Sequence, residues 1–70
     1  MKPFDINQAR SGATVTTRNG QDVIIDDYER NFYGETVIVG RIEGGIIEIW
    51  NQNGHVRHDG VSDPMDLVIK

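Results

Sequence analysis

Three stretches of this chain, "ATVTTRNGQDVIID", "ETVIVGRIEGGIIEIW" and "WNQNGHVRHDG", each set an Asn-Gly or Gly-Gly pair among residues rich in valine, isoleucine and threonine. β-branched side chains suit a pleated strand, and Asn-Gly or Gly-Gly supplies the positive φ of a hairpin turn. A last strand follows at residues 66–69, "DLVI", after the Ser62-Asp63-Pro64 turn. Five or six short antiparallel strands in 70 residues suggest a compact barrel or tightly rolled sheet. One short helix precedes them at residues 5–11, with Asp5 as N-cap, Gln8 completing a capping box, Phe4 folding back on Ala9 and Gly12 as the stop. The expected organisation is a single domain over residues 1–70, with its β unit at 13–69.

A chain this short lies near the lower limit for folding alone, so oligomerisation would help it. It contains no cysteine, which removes disulfides, thiolate metal sites and thiol nucleophiles and fits a reducing compartment. No apolar run approaches a membrane span, and "MKPFDINQAR" lacks the apolar stretch of a signal peptide; a cytoplasmic protein is expected. Seven Lys plus Arg against eleven Asp plus Glu leave a net charge of −4, which argues against general nucleic-acid binding through phosphates. Five of the seven cations are arginine, the side chain that recognises carboxylate and phosphate with a planar fork.

Register decides which side chains share a face. A bulge at Gly20 sets Val15 opposite Val23 and Ala13 opposite Ile25, separating apolar from polar residues better than a two-residue loop does. A two-residue turn at Gly44-Gly45 pairs Ile42 with Ile47, Gly40 with Ile49, Arg41 with Glu48 and Val39 with Trp50. One face then carries Ile38, Ile42, Ile47 and Ile49 and is the expected core. The other carries Val37, Val39 and Trp50 beside Arg41 and Glu48. The bulged register at Asn53-Gly54 sets Trp50 opposite Val56 and Glu48 opposite His58, with His55 and Arg57 on the reverse. Two-residue loops at both Asn-Gly turns would instead let Arg57 stack across Trp50. Residues 26–35, "DDYERNFYGE", read as a polar loop whose aromatics, Tyr28, Phe32 and Tyr33, pack back on the β unit.

The second face has the composition of an interface or aromatic ligand platform: Trp50, Val39 and Arg41 as contacts, Glu48 and His58 at the rim. Its alternative is cover by the helix or the last strand, which would make Trp50 core. Histidines three apart on a strand point to opposite sides, so His55 and His58 do not make a two-histidine metal site, and no metal or cofactor is expected. Ser11 and Ser62 lack a nucleophile-elbow context, and no glycine-rich phosphate loop is present.

The opening "MKPFD", the following "ARSGATVTTRNGQDVII", the Trp50-to-Gly54 spacing and the ending "SDPMDLVI" resemble a group of short proteins of unknown function from phages, prophages and gut bacteria. The resemblance implies a small SH3-like barrel preceded by one helical turn, and a mobile-element origin. Thr17 stands where many members of that group carry cysteine, so a thiol role does not transfer. The reading that results is a non-enzymatic small binding protein, acting on a host component in the host cytoplasm by surface occupation or by sequestering a nucleotide-like immune signal. Tryptophan would stack a base while arginine and turn amides hold phosphate. The rival is a structural homo-oligomer without a separate ligand; an enzyme using His55 or His58 comes third.

Overall fold

The computed structural model describes residues 2–57 and 59–70. In chain order it forms β1 (Lys2–Pro3), α1 (Ile6–Arg10), β2 (Val15–Thr17), β3 (Val23–Arg30), β4 (Thr36–Ile42), β5 (Ile46–Asn51) and β6 (Leu67–Ile69). The helix starts as the sequence predicts, with the Asp5 carboxylate accepting from the amides of Asn7 and Gln8. It ends at Ser11, and Gly12 follows at a φ of 101°. Phe4, expected to fold back on Ala9, packs on Gly54, where a Cβ would sit 2.8 Å from its Cγ.

The strands build two antiparallel three-stranded sheets, β1-β6-β2 and β3-β4-β5. This corrects the expected SH3-like barrel: the sheets do not close on one another. Between β2 and β3 stands a single bridge, Thr16 to Asp22. It follows the bulged register expected at Gly20, but the ladder goes no further, and Val23 continues instead into the other sheet opposite Ile42. The turn is held by Thr17, fully buried, whose Oγ1 donates to the Asn19 side chain and accepts the Gln21 amide.

The β4–β5 hairpin departs from expectation by one residue. Its loop is Glu43-Gly44-Gly45, with both glycines at positive φ and Gly45 N–H donating to Ile42 C=O. Ile42 therefore pairs with Ile46, Gly40 with Glu48 and Ile38 with Trp50. A slip of one residue turns every side chain of β5 over. Trp50, expected outside, is 1% exposed in the core; Ile47 and Ile49, expected inside, are 70% and 53% exposed. Gly40 makes room for this arrangement, because a Cβ there would lie 2.6 Å from the Ile24 carbonyl oxygen and 3.3 Å from the Trp50 ring.

The core between the sheets joins Val15, Ile38, Ile42, Trp50, Leu67 and Ile69, with Ile25, Tyr28 and Val56 among the partly buried residues packed on it. The Trp50 indole N–H donates to the Met65 carbonyl, 2.8 Å away, so the ring is buried with its one polar atom satisfied. Residues 26–35 are not a polar loop. They belong to a long β3–β4 hairpin whose tip, Asn31 to Glu35, carries Phe32 and Tyr33 into solvent, 98% and 82% exposed. Tyr28 alone of the three aromatics packs back, with the Arg10 guanidinium 4.6 Å over its ring.

Candidate functional site

After β5 the chain turns at Asn53-Gly54, with Gly54 N–H donating to Asn51 C=O and Asn51 N–H to His55 C=O. There the expected pairing of residues 55–58 with β5 ends. Val56 N–H donates to the Asp66 carboxylate at 2.9 Å, and Leu67 N–H to the Gly54 carbonyl at 2.8 Å. These two bonds tie the segment to the start of β6, while Val56 still packs against the core.

Asp66 is the hub of this region. It is 1% exposed, and its two oxygens accept from the Val56 amide, the Asp63 amide at 3.0 Å and His55 Nδ1 at 3.1 Å. Its own carbonyl accepts the Arg18 amide at 2.8 Å, tying the β2–β3 turn to the same point. Burial pushes the Asp66 carboxyl up, but the Val56 and Asp63 amides and the His55 imidazole outweigh it and hold the group below the value of a free aspartate. The carboxylate also orients His55: an Nδ1–H donated to Asp66 leaves Nε2 as the ring nitrogen available for an outside partner.

Around this hub lies an open cleft of about 500 Å³. Its apolar lining is Leu67 and Val68 of β6 with Pro3 and Phe4; its polar lining is Lys2, Arg18, Asn53, His55 and Asp66. Each is placed by an element already described. Lys2 and Pro3 pair with Ile69 and Val68, Arg18 and Asn53 occupy two turns, and His55 follows the glycine that Phe4 covers. Two cationic side chains able to donate to an anion, Lys2 and Arg18, line one cleft together with Asn53, His55 and the apolar Pro3, Phe4, Leu67 and Val68. An anion carried on an apolar or aromatic body is the ligand such a lining suits.

The residues singled out in the sequence are not brought together. Trp50 is core, and Val39 is half-buried on the outer side of β4. Arg41 lies on that outer side, held by Asp26 through Nε and Nη2 at 3.0 and 3.1 Å. Glu48 is half-buried on the inner side of β5, its carboxylate accepting the neighbouring Ile49 amide. Arg57 is exposed and paired with Asp59, 2.8 Å from Nη2, and does not reach Trp50. His58 lies outside the described residues. The proposed Trp50 platform is therefore corrected, since the tryptophan faces inward. Asp66 and the cleft were missed. Their one trace in the sequence is an aspartate directly before the wholly buried strand Leu67–Ile69, a position where a carboxylate has to find donors.

Among the described residues no group of three or more histidine, aspartate or glutamate side chains converges as a metal site. No described helix is long and apolar enough to cross a membrane. The fold and site define a two-sheet β domain with a cation-lined cleft. No known protein family, curated protein or solved structure matches the chain. The phage and host-defence expectations drew on the resemblance, the arginine bias and the lone tryptophan; no match stands behind the resemblance, Trp50 is core and no barrel forms, so they are set aside.

Proposed function

We propose that this protein is a non-enzymatic binding domain that seats a small organic anion in the cleft around His55, with a nucleotide-like molecule as the leading class. One observation carries the reading: a chain with a net charge of −4 collects Lys2 and Arg18 at a single cleft lined also by His55 and apolar side chains. The cleft volume of about 500 Å³ is in the range of small-molecule sites. Arg18 offers a planar fork to phosphate or carboxylate, Lys2 a point charge, and Phe4 an aromatic surface beside them. Among the described residues its lining contains no hydroxyl or thiol nucleophile, which favours binding over covalent catalysis. A cytoplasmic setting accords with the absence of cysteine.

Isothermal titration against nucleoside monophosphates and cyclic and linear dinucleotides tests the proposal. Binding is expected to weaken with salt, and Arg18→Ala or Lys2→Ala to lower affinity about 10-fold, the loss expected for a charged hydrogen bond. Absence of heat with every nucleotide, or unchanged affinity in both variants, would overturn the assignment.

A further inference from the structure

The slipped β4–β5 register leaves an apolar strip on the outer side of the β3-β4-β5 sheet. Ile24 of β3, Val37 and Val39 of β4, and Ile47 and Ile49 of β5 share that side, and the three isoleucines are 59%, 70% and 53% exposed. None of the cleft residues belongs to it. Five β-branched side chains facing outward would be expected to bury themselves elsewhere unless something covers them.

We propose that a second copy of this chain covers the strip, so that two β3-β4-β5 sheets pack face to face about a two-fold axis. Area supports this occupant. The three isoleucines expose on the order of 300–400 Å² of apolar surface, the scale at which a patch on a small domain marks an interaction site. Ile47, Ile49 and the two half-buried valines make its centre and Ile24 its rim, a patch of the size found in the small interface of a weak, reversible dimer. A second copy also adds burial to a small core that no disulfide supports, since the sequence contains no cysteine.

Charge decides between a second copy and an anionic surface. Among the described residues the one cation within the strip, Arg41, is already neutralised by Asp26 on the same sheet. The other charges near this side are acids: Asp27 and Glu29 of β3, which pair with Val39 and Val37, and Asp22 and Glu43, which line a surface depression with Ile24 and Arg41 at the β4–β5 turn end. A two-fold axis running along the strands between β4 and β5 lays Ile49 against Val39 of the other copy. It also carries the acidic β3 row of each copy past the edge of the opposing sheet, to the rim. An anionic lipid surface would meet those acids head on.

Light scattering and sedimentation equilibrium of the full chain, from about 1 µM to about 500 µM, read the association directly. The wild type should move from 7.9 kDa toward twice that mass. Ile47→Lys and Ile49→Lys should each raise the dimer dissociation constant at least about 10-fold, since a lysine at the centre must be desolvated. Phe32→Ser, at the distant hairpin tip, should leave it unchanged. Trp50 emission certifies that each variant is folded, because the ring lies on the inner side; should one lysine variant unfold, Val39→Lys, at the position opposite Ile49 of the other copy, supplies the same test. A wild type that stays monomeric through about 500 µM, or folded lysine variants that dimerise as well as it does, overturns the proposal. Neither outcome bears on the cleft, whose ligand is read by titration.

Discussion

Replacing Asp66 by asparagine should cost this small domain a large share of its stability, and the cost should fade in acid. The carboxylate is buried and accepts three hydrogen bonds, one from Val56 on Oδ1 and two from Asp63 and His55 on Oδ2. In Asp66→Asn the side-chain amide would keep the shape and one acceptor oxygen, but its NH₂ would face a donor wherever the second oxygen had been. Loss of one or two bonds to an ionised acceptor is worth about 2–4 kcal/mol. A 70-residue domain has about 4–10 kcal/mol in total, and the melting temperature should fall by about 10–25 °C.

The sign of the pH dependence follows from the depressed carboxyl. The native state binds fewer protons than the unfolded chain, so the Asp66 contribution is complete above the unfolded aspartate value near about 4 and is lost as pH falls through the lower native value. Urea titrations followed by Trp50 emission, at several pH values from about 6 to about 2.5, measure both proteins with one probe. That probe is local, since the indole donates to Met65, the residue next to Asp66. A difference below about 0.5 kcal/mol at neutral pH, or one that stays constant across the acid range, would refute the argument that Asp66 is an ionised structural hub.

Three further perturbations test other parts of the fold. Gly40→Ala places a methyl against the backbone oxygen of Ile24, which cannot rotate away, and should lower stability by about 3 kcal/mol in thermal or urea unfolding. Trp50→Phe removes the donor to the Met65 carbonyl and part of the core volume; about 2–3 kcal/mol is expected from chemical denaturation followed by far-ultraviolet circular dichroism. Phe32→Ser, at a ring 98% exposed, should change the melting temperature by no more than a degree or two either way, corresponding to less than about 0.5 kcal/mol.

The candidate site was less legible in the sequence than the elements that frame it. Trp50, Arg57 and His58 drew attention as chemically rich residues near one turn, yet richness along the chain says nothing about which face a strand presents. The cleft is assembled from Lys2, Arg18, His55 and Asp66, which come from the first strand, two hairpin turns and the residue before the last strand. Only the pairing of β6 with both β1 and β2 brings them together. Asp66 itself looked like the first residue of an ordinary strand. Two of its three donors, Val56 and His55, stand ten and eleven residues earlier in the chain, so no local pattern announces them.

What the sequence determined by itself is what short-range physics governs. Asp5 caps a one-turn helix because its carboxylate can reach the next amides, and glycines at 20, 45 and 54 turn the chain because they accept positive φ. Valine- and isoleucine-rich runs between those glycines become strands, as their branched side chains prefer. Tertiary structure decided the rest. Whether Trp50 or Ile49 faces inward turned on one residue in the Glu43-Gly44-Gly45 loop, and both registers offer apolar side chains to Ile38 and Ile42: Ile47 with Ile49 in the expected one, Trp50 in the observed one. The space above Gly40, the acceptor at Met65 and the carboxylate at Asp66 broke that tie, and each exists only once distant strands have met.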